Sequence, residues 1–300
     1  MDKKVKVKTT TRFNYVYNQE KEEWVVANHY VTDIQIRDEA GHLTSEKSFN
    51  TEGESGEHNE YRYNEQGQVV EELIYFEGEE LAERHTFEYR EDGKMSVEHV
   101  EYQDSYRDQI LYTYDSFGNL IERKQIDDEG EVESCETYVY DGEVLKKETV
   151  IDGDGALVSE AVHIYDEEGS MIETQMRGKE DHEEIRIVYE YDEQGNRDCM
   201  ERFNKAGQIM ARTTYTFNEQ GVVTEMFEED TTTSKTIRFQ HDEKGNVTLQ
   251  EEFNDKEELN HRIERMYDPD GELIESIIYV DRHDQGPDQY YSVKQEFIYY

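Results

Sequence analysis

A glycine that closes a short polar turn recurs along most of this chain, at a spacing of about 26 residues. These glycines are Gly41, Gly67, Gly93, Gly118, Gly142, Gly169, Gly195, Gly221, Gly245 and Gly271. Most copies place an aromatic residue and then Asp or Asn shortly before the glycine, as in Tyr191–Gly195 (YDEQG). Repetition at a fixed period of this length indicates a repeat architecture, in which each unit covers the apolar surface of its neighbour.

Each repeat contains a second turn of the same kind, about 13 residues after the first. Phe203–Gly207 (FNKAG) and Ile126–Gly130 (IDDEG) are examples. An Asp or Asn side chain can accept a hydrogen bond from the backbone two residues further on, and glycine tolerates a positive φ. Turns of this composition connect antiparallel strands, so one repeat is expected to be one two-stranded unit.

Between the turns the sequence alternates with the period of a β-strand. Aromatic residues lie two apart in Tyr61 and Tyr63, in Tyr112 and Tyr114, and in Tyr189 and Tyr191, so each pair is expected on one face of its strand. Helical periodicity is not evident. The sequence predicts an all-β fold, a long antiparallel meander of tandem β-hairpin repeats that forms a twisted or curled single sheet or an open shell.

No linker or composition break divides the chain, so residues 1–300 are predicted to be a single β-repeat domain. Residues 1–33 are interpreted as N-terminal edge strands or a degenerate repeat, and residues 279–300 as C-terminal capping strands. Lysine alternates with valine near the start, from Lys3 to Lys8, which is typical of an edge strand protected by charge.

Composition restricts the function. The net charge is −42, which disfavours nucleic acid as a ligand because phosphate binding needs a basic surface. Low hydrophobicity raises the question of disorder, but aromatic residues make up 12% of the chain and oppose it. The charged start lacks an apolar signal region and no apolar run has the length of a membrane span. A cytoplasmic location is therefore expected, or a surface or secreted one if the chain is a processed mature form.

The turn motif resembles a known family. Tyr114–Leu120 (YDSFGNL) and Tyr191–Asn196 (YDEQGN) are similar to the YD repeats of bacterial Rhs and teneurin-type proteins, and the resemblance covers roughly Ile36 to Ile278. It implies long β-sheets that spiral into a hollow shell around a toxin or other cargo. It also implies a bacterial protein of a kind that is often secreted or associated with the cell surface.

Two sets of side chains are candidates for binding. The first is the tyrosine pairs, Tyr61, Tyr63, Tyr112, Tyr114, Tyr189 and Tyr191. The second is a row of glutamates four residues after repeat glycines, Glu71, Glu122, Glu173, Glu225 and Glu275. The tyrosines could equally hold the sheet together, and the glutamates could be an ordinary solvated face with cationic neighbours. No catalytic residue, metal site or cofactor is predicted, although the turn aspartates could bind calcium weakly.

The function expected from these features is that of a non-catalytic repeat scaffold. It would bind another protein, expected to be basic, through an acidic, aromatic-rich β-sheet surface. Two alternatives stay open, a carbohydrate-binding or cell-surface structural module, and an acidic immunity protein that neutralises a toxin. An exposed aromatic face could also be covered by a face-to-face homodimer.

Overall fold

The structure is a computed structural model, and it describes residues 4–76, 80–104, 106–179, 184–282 and 286–300. These residues form 22 strands connected by turns, and they contain no helix. The strands are β1 (Val5–Asn18), β2 (Glu23–Arg37), β3 (Leu43–Phe49), β4 (Ser55–Tyr63), β5 (Val69–Phe76), β6 (Glu80–Tyr89), β7 (Met95–Tyr102), β8 (Arg107–Tyr114), β9 (Leu120–Ile126), β10 (Val132–Asp141), β11 (Val144–Asp152), β12 (Leu157–Tyr165), β13 (Met171–Gly178), β14 (Ile185–Tyr191), β15 (Arg197–Asn204), β16 (Ile209–Phe217), β17 (Val223–Asp230), β18 (Ser234–His241), β19 (Val247–Asn254), β20 (Leu259–Tyr267), β21 (Leu273–Val280) and β22 (Gln289–Tyr299). The predicted all-β antiparallel meander is confirmed.

The sheet closes into a barrel, because its first and last strands pair with each other. Every strand is antiparallel to the strand that follows it in the chain. Strand β1 pairs with β2 on one side and with β22 on the other, where Val5 lies opposite Tyr299 and Asn14 opposite Tyr291. The prediction of an open sheet or shell is therefore wrong, and the predicted N-terminal edge strand has a partner on both sides. Closure leaves no backbone edge along this seam to be satisfied by water.

The predicted segment boundaries extend in part beyond the described residues. Residues 1–3 of the N-terminal segment, including Lys3, and residues 283–285 of the C-terminal capping segment lie outside them. Within the described part, β22 pairs with β21 on one side and with β1 on the other.

The repeat turns are built as their composition predicts. At Asp192–Asn196, the Asp192 carboxylate accepts hydrogen bonds from the backbone N–H groups of Gln194 and Asn196, at 2.9 and 2.8 Å. The Gly195 N–H donates to the Asp192 carbonyl at 3.0 Å. Next to this turn, the register of β14 against β15 shifts between Glu190 and Tyr191, which marks a β-bulge. The other repeat turns carry the same shift, as at Tyr63 and Tyr114. All ten repeat glycines have a positive φ.

Replacing Gly195 by valine is expected to destabilise the fold by about 1–3 kcal/mol, because φ at this position is 84° and a β-branched residue is strained there. No heavy atom lies within 4 Å of the position that a Cβ would take, so the cost would come from the backbone alone. Urea unfolding of the variant measures it. Wild-type stability in this variant would contradict the turn assignment.

The face that carries the paired tyrosines is the more buried one. Along β8, β10 and β14 its side chains are mostly half-buried or buried, whereas most side chains of the opposite face are exposed. Among the described residues, it holds five of the eight buried apolar side chains, and the opposite face holds three. Strand register places the almost fully buried Val100, Ile110 and Ile237 on the face that carries the paired tyrosines. The exposed apolar side chains Val139 and Ile164 lie on the opposite face, at 54% and 37% exposure. Side chains converge on the concave side of a closed sheet, so we assign the tyrosine-bearing face as the inner face and the other as the outer face.

The barrel is wide and short. Strands about 4.8 Å apart and tilted by about 40° give a ring about 44 Å across between backbones, if its cross-section is circular. In the described part of the chain, each strand pairs with its two neighbours and no segment between strands forms a further element. The inner face therefore surrounds an interior that the described residues do not fill.

Candidate functional site

The inner face carries two rows of aromatic side chains. One row lies near the middle of alternate strands and consists of Tyr61, Phe87, Tyr112, Tyr138, Tyr189, Tyr215 and Phe239. The second row lies next to the turns, two residues further along on the strands that carry both rows, and consists of Tyr63, Tyr89, Tyr114, Tyr140, Tyr165, Tyr191, Phe217 and Tyr267. Most neighbours within a row are two strands apart, which corresponds to about 9–10 Å, and one gap of four strands interrupts each row, between Tyr138 and Tyr189 in the first and between Phe217 and Tyr267 in the second.

The tyrosines of the second row link successive repeats. The hydroxyl of Tyr63 donates to the Leu43 carbonyl at 2.7 Å, and that of Tyr191 donates to the Met171 carbonyl at 2.7 Å. The same bond, to the carbonyl twenty residues earlier, is made by Tyr89, Tyr165 and Tyr267. This contact explains why the motif has tyrosine before Asp, since the hydroxyl ties each turn to the strand that begins the preceding unit. These hydroxyls therefore have a structural partner.

A largely buried polar cluster of the inner face is centred on His85. Its Nδ1 lies 2.8 Å from a Glu98 carboxylate oxygen and its Nε2 lies 3.1 Å from Glu83. The Tyr112 hydroxyl donates to the other Glu98 oxygen at 2.9 Å. The hydrogen bond with Glu98 raises the pKa of His85 above its ordinary 6.5, and the bond from His85 lowers the pKa of Glu98. The His85 ring, which is protonated more readily than a free histidine, lies between two carboxylates and links β6 to β7.

The cluster continues onto β9 and β10. Arg123 donates to Glu136 at 2.8 Å, and the Tyr138 hydroxyl donates to the other Glu136 oxygen at 2.6 Å. Burial, and then the bond to Glu136, raise the pKa of Tyr138. The polar groups of this cluster bond to one another, so the arrangement positions Tyr112 and Tyr138 on the inner face. We call the seven residues joined by these bonds the His85 cluster; they are Glu83, His85, Glu98, Tyr112, Arg123, Glu136 and Tyr138.

The His85 cluster predicts a pH dependence of stability. A raised pKa in the folded state means that His85 stabilises the fold fully below about pH 6.5, and that this contribution is lost as the pH rises through the higher folded value. Glu98 affects stability at acidic pH. Because its pKa is lowered in the folded state, its contribution to stability is lost as the pH falls through that lowered value. We expect His85→Gln to reduce the free energy of unfolding more at pH 6 than at pH 9, as measured by urea unfolding.

A double-mutant cycle with Glu98→Gln provides the control. Without the Glu98 charge, the effect of His85→Gln at pH 6 should become smaller. Equal effects of His85→Gln at both pH values would contradict the assignment of an imidazolium at this position.

The predicted glutamate row lies on the outer face, and each member contacts a cation. The ion pairs are Glu71 with Arg62 and Arg84, Glu122 with Lys124, Glu173 with Arg186, Glu225 with Arg238 and Glu275 with Lys294, at 2.5 to 3.2 Å. Glu71 differs from the others because it is buried, at 7% exposure. This row of the outer face therefore consists of ion pairs, all of them between strands except Glu122 with Lys124, which lie on the same strand β9.

The two predicted sets of binding residues do not share a surface. Tyr61 lies opposite Glu72, whereas Glu71 lies opposite Arg62. Tyr112 lies opposite Arg123, whereas Glu122 lies opposite Thr113. The same relation separates Tyr189 and Tyr191 from Glu173, since Val188 is the residue opposite Glu173. The aromatic rows line the interior and the glutamates face outward, and the binding role of either set stays a prediction.

The His85 cluster was absent from the sequence predictions. Its signal in the sequence is Glu83-x-His85 followed by Glu98 thirteen residues later, and acidic residues are too frequent in this chain for that pattern to stand out. The turn aspartates have a clear role without a cation. Asp192, for example, accepts backbone hydrogen bonds and a bond from the Asn196 side chain, which lowers its pKa.

Two features are absent from the described residues. These residues contain no group of three or more His, Cys, Asp or Glu side chains with the arrangement of a metal site. Likewise, no helix in this part of the chain is long and apolar enough to cross a membrane.

No family model matches the chain, and no curated protein matches it. Among solved structures, it is similar to TcdB2-TccC3 with 11% identity and a TM-score of 0.33, over 92% of this chain and 18% of that one. TcdB2-TccC3 without its hypervariable C-terminal region gives 10% identity and a TM-score of 0.37, over 92% and 17%. A porin-like protein from Bacteroides uniformis gives 12% identity and a TM-score of 0.31, over 97% and 96%. The chain thus spans less than a fifth of TcdB2-TccC3, and at these scores the likenesses carry no argument about its function.

Proposed function

We propose that this protein is a non-catalytic binding protein that holds a basic protein partner against its inner face. The observation that supports this most directly is that both aromatic rows lie on one concave face. Aromatic side chains contribute a large contact area at protein interfaces and are enriched among residues that dominate binding. A face of this kind in a wide ring presents them together to a single partner.

Charge supports a basic partner. The outer glutamates are paired with Arg or Lys, whereas the connecting turns expose carboxylates such as Asp128, Glu129, Glu167 and Glu168. The turns form the two rims of the barrel, so a partner approaching the interior passes them. With a net charge of −42, these rims would attract a basic protein and speed its association at low salt.

We also propose that the repeats are of the YD type. The Tyr-Asp-x-x-Gly turn recurs in register, and its tyrosine hydroxyl, its Asp carboxylate and its glycine φ each have a defined structural task. The shared turn is the support for this relation, and it concerns the architecture of the repeat. Encapsulation of a toxin does not follow from it.

The test is retention of basic proteins from a bacterial lysate on the immobilised protein, with washes at low and at high salt. Tyr112→Ala with Tyr189→Ala removes two inner aromatic side chains, and Ile164→Ala on the outer face is the matched control. We expect a basic protein that is released by salt, is lost in the tyrosine variant and is kept in the Ile164 variant. Retention that is equal in all three proteins would contradict binding through the inner face.

A carbohydrate-binding module is the second candidate, and the regular spacing of the aromatic rows favours it. Aromatic faces about 9–10 Å apart could stack on alternate sugars of an extended polysaccharide. Binding to glycans that is insensitive to salt, and lost in the same tyrosine variant, would select this function over the first. The location of the protein, in the cytoplasm or outside the cell, follows from neither candidate.

A further inference from the structure

The hairpin of β1 and β2 extends beyond the rest of the sheet. Strand β22 pairs with β1 only as far as Asn14, and β3 pairs with β2 only from Asp33 onward. Within the described residues, the segment Glu23–Thr32 therefore pairs with β1 on one side and has no ladder partner on the other. A strand in this position exposes a row of backbone N–H and C=O groups.

This edge lacks the charges that usually protect one. Glu23 is the only Asp, Glu, Lys or Arg in Glu23–Thr32, although acidic and basic residues make up 35% of the whole chain. Trp24 and Val26 are exposed, at 40% and 51%. Bulges at the register shifts interrupt the strand, but they leave regular stretches on either side of Ala27. Natural proteins block exposed edges with Lys, Pro or inward charges, and an uncharged apolar edge is a template for another strand.

An aromatic cluster begins at Trp24 on the edge strand and extends away from the free edge, across β1 to β22. The Trp24 ring packs against Tyr17 and Tyr290, with centroids 5.5 and 4.9 Å apart, and Tyr15 packs against Tyr290 at 5.1 Å. Trp24 and Tyr17 remain exposed. An added strand would therefore place a side chain next to the exposed Trp24 ring, which Tyr17 and Tyr290 hold from the opposite side, and tryptophan is among the residues that most often dominate binding energy.

We propose that Glu23–Thr32 binds an extended segment of a partner protein by strand addition, with the uncharged centre of that segment flanked by basic residues. Main-chain hydrogen bonds would supply affinity and the aromatic cluster would select side chains. The charge pattern follows from the two ends of the edge. Exposed Glu20, Glu22 and Glu23 outnumber one cation at its tip, Lys21, which lies 3.8 Å from Glu23, and exposed Glu52 and Glu54 lie in the turn after β3, where the β2–β3 ladder stops. A second copy of this chain is a poor occupant, because each copy carries a net charge of −42.

The probe is a synthetic peptide in which alternating Val and Thr residues are flanked by two lysines at each end. Trp24 is the only tryptophan of the chain and lies on the edge, so its fluorescence reports binding there. The matched control is the same peptide with alternate backbone nitrogens methylated, which keeps the charges but blocks the ladder. We expect the Trp24 signal to saturate with the first peptide and the affinity to fall at least about tenfold with the second.

Two protein variants separate this site from the proposed inner face. Ala27→Pro should lower peptide affinity without unfolding the protein, because Ala27 has no ladder partner on β1. Tyr112→Ala with Tyr189→Ala should leave peptide affinity unchanged. Equal binding of the methylated peptide, no change in Trp24 fluorescence, or loss of the signal only in the tyrosine variant would each overturn strand addition. Concentration-dependent dimerisation that buries Trp24 would overturn the choice of occupant.

Discussion

Replacing Thr10 by proline is expected to destabilise the protein by at least about 3 kcal/mol. Thr10 is buried near the middle of β1, opposite Asp33 on β2 and Gln295 on β22. In a closed barrel its N–H has a ladder partner whichever neighbour it points to, and proline removes that donor. The substitution also removes the hydrogen bond from the Thr10 hydroxyl to the Asp33 carboxylate, which measures 3.0 Å.

The experiment compares Thr10→Pro with Ala27→Pro by urea unfolding followed by circular dichroism. Ala27 lies at a bulge in the projecting part of β2, where proline should cost less than about 1 kcal/mol. A barrel predicts a large difference between the two variants. An open sheet predicts a smaller difference, because Thr10 would then be packed against β2 alone and no longer between two strands. Similar stabilities would therefore contradict a position for Thr10 inside the closed sheet.

The local parts of the fold were predictable from the sequence, because they depend on residues close together in the chain. The turn at Tyr191–Gly195 combines an Asp that bonds the backbone with a glycine that takes a positive φ, and both properties belong to the residue types. The period of two between turns then fixes that Tyr189 and Tyr191 share a face.

Closure was not predictable in the same way. It joins Val5–Asn14 to Tyr291–Tyr299, the two ends of the chain, and neither segment contains the repeat motif. Whether a long sheet stays open or closes depends on the twist summed over all its strands, which no single repeat encodes. The sequence could therefore indicate a sheet that curls without indicating that its ends meet.

The relation between the aromatic rows and the glutamate row also needed the structure. Tyr63 lies opposite Val69, and a ladder continuing regularly from that pair would place Tyr61 opposite Glu71. The bulge after the turn shifts the register by one residue, so Tyr61 lies opposite Glu72 and Glu71 turns to the other face. One unpaired residue per turn thus decides whether carboxylates and tyrosines form one surface or two.

Replacing Glu71 by alanine is the second change for which we expect a large effect, a loss of about 2–3 kcal/mol in the free energy of unfolding. Its carboxylate contacts Arg62 at 2.5 Å and Arg84 at 2.6 Å, and it is the most buried member of the outer glutamate row. Removing it leaves two guanidinium groups facing a partly buried position without their shared anion. Both arginines are about half exposed or more, so water relieves part of the cost and the expected value lies below that of a fully buried pair.

Glu225→Ala is the matched control, because Glu225 occupies the same repeat position and pairs with Arg238 at 2.9 Å, but its side chain is 40% exposed. Pairs of that kind contribute about 0–1 kcal/mol, so this variant should unfold close to the wild type. Sodium chloride at 1 M should reduce the Glu225 effect further and leave most of the Glu71 effect, since screening acts mainly on exposed charges. If both variants lose the same stability, the row is uniform, and the burial of Glu71 has no energetic consequence. A large difference would instead mean that the outer ion pairs stabilise the barrel at one place, between β4 and β6, and elsewhere chiefly keep its surface charged.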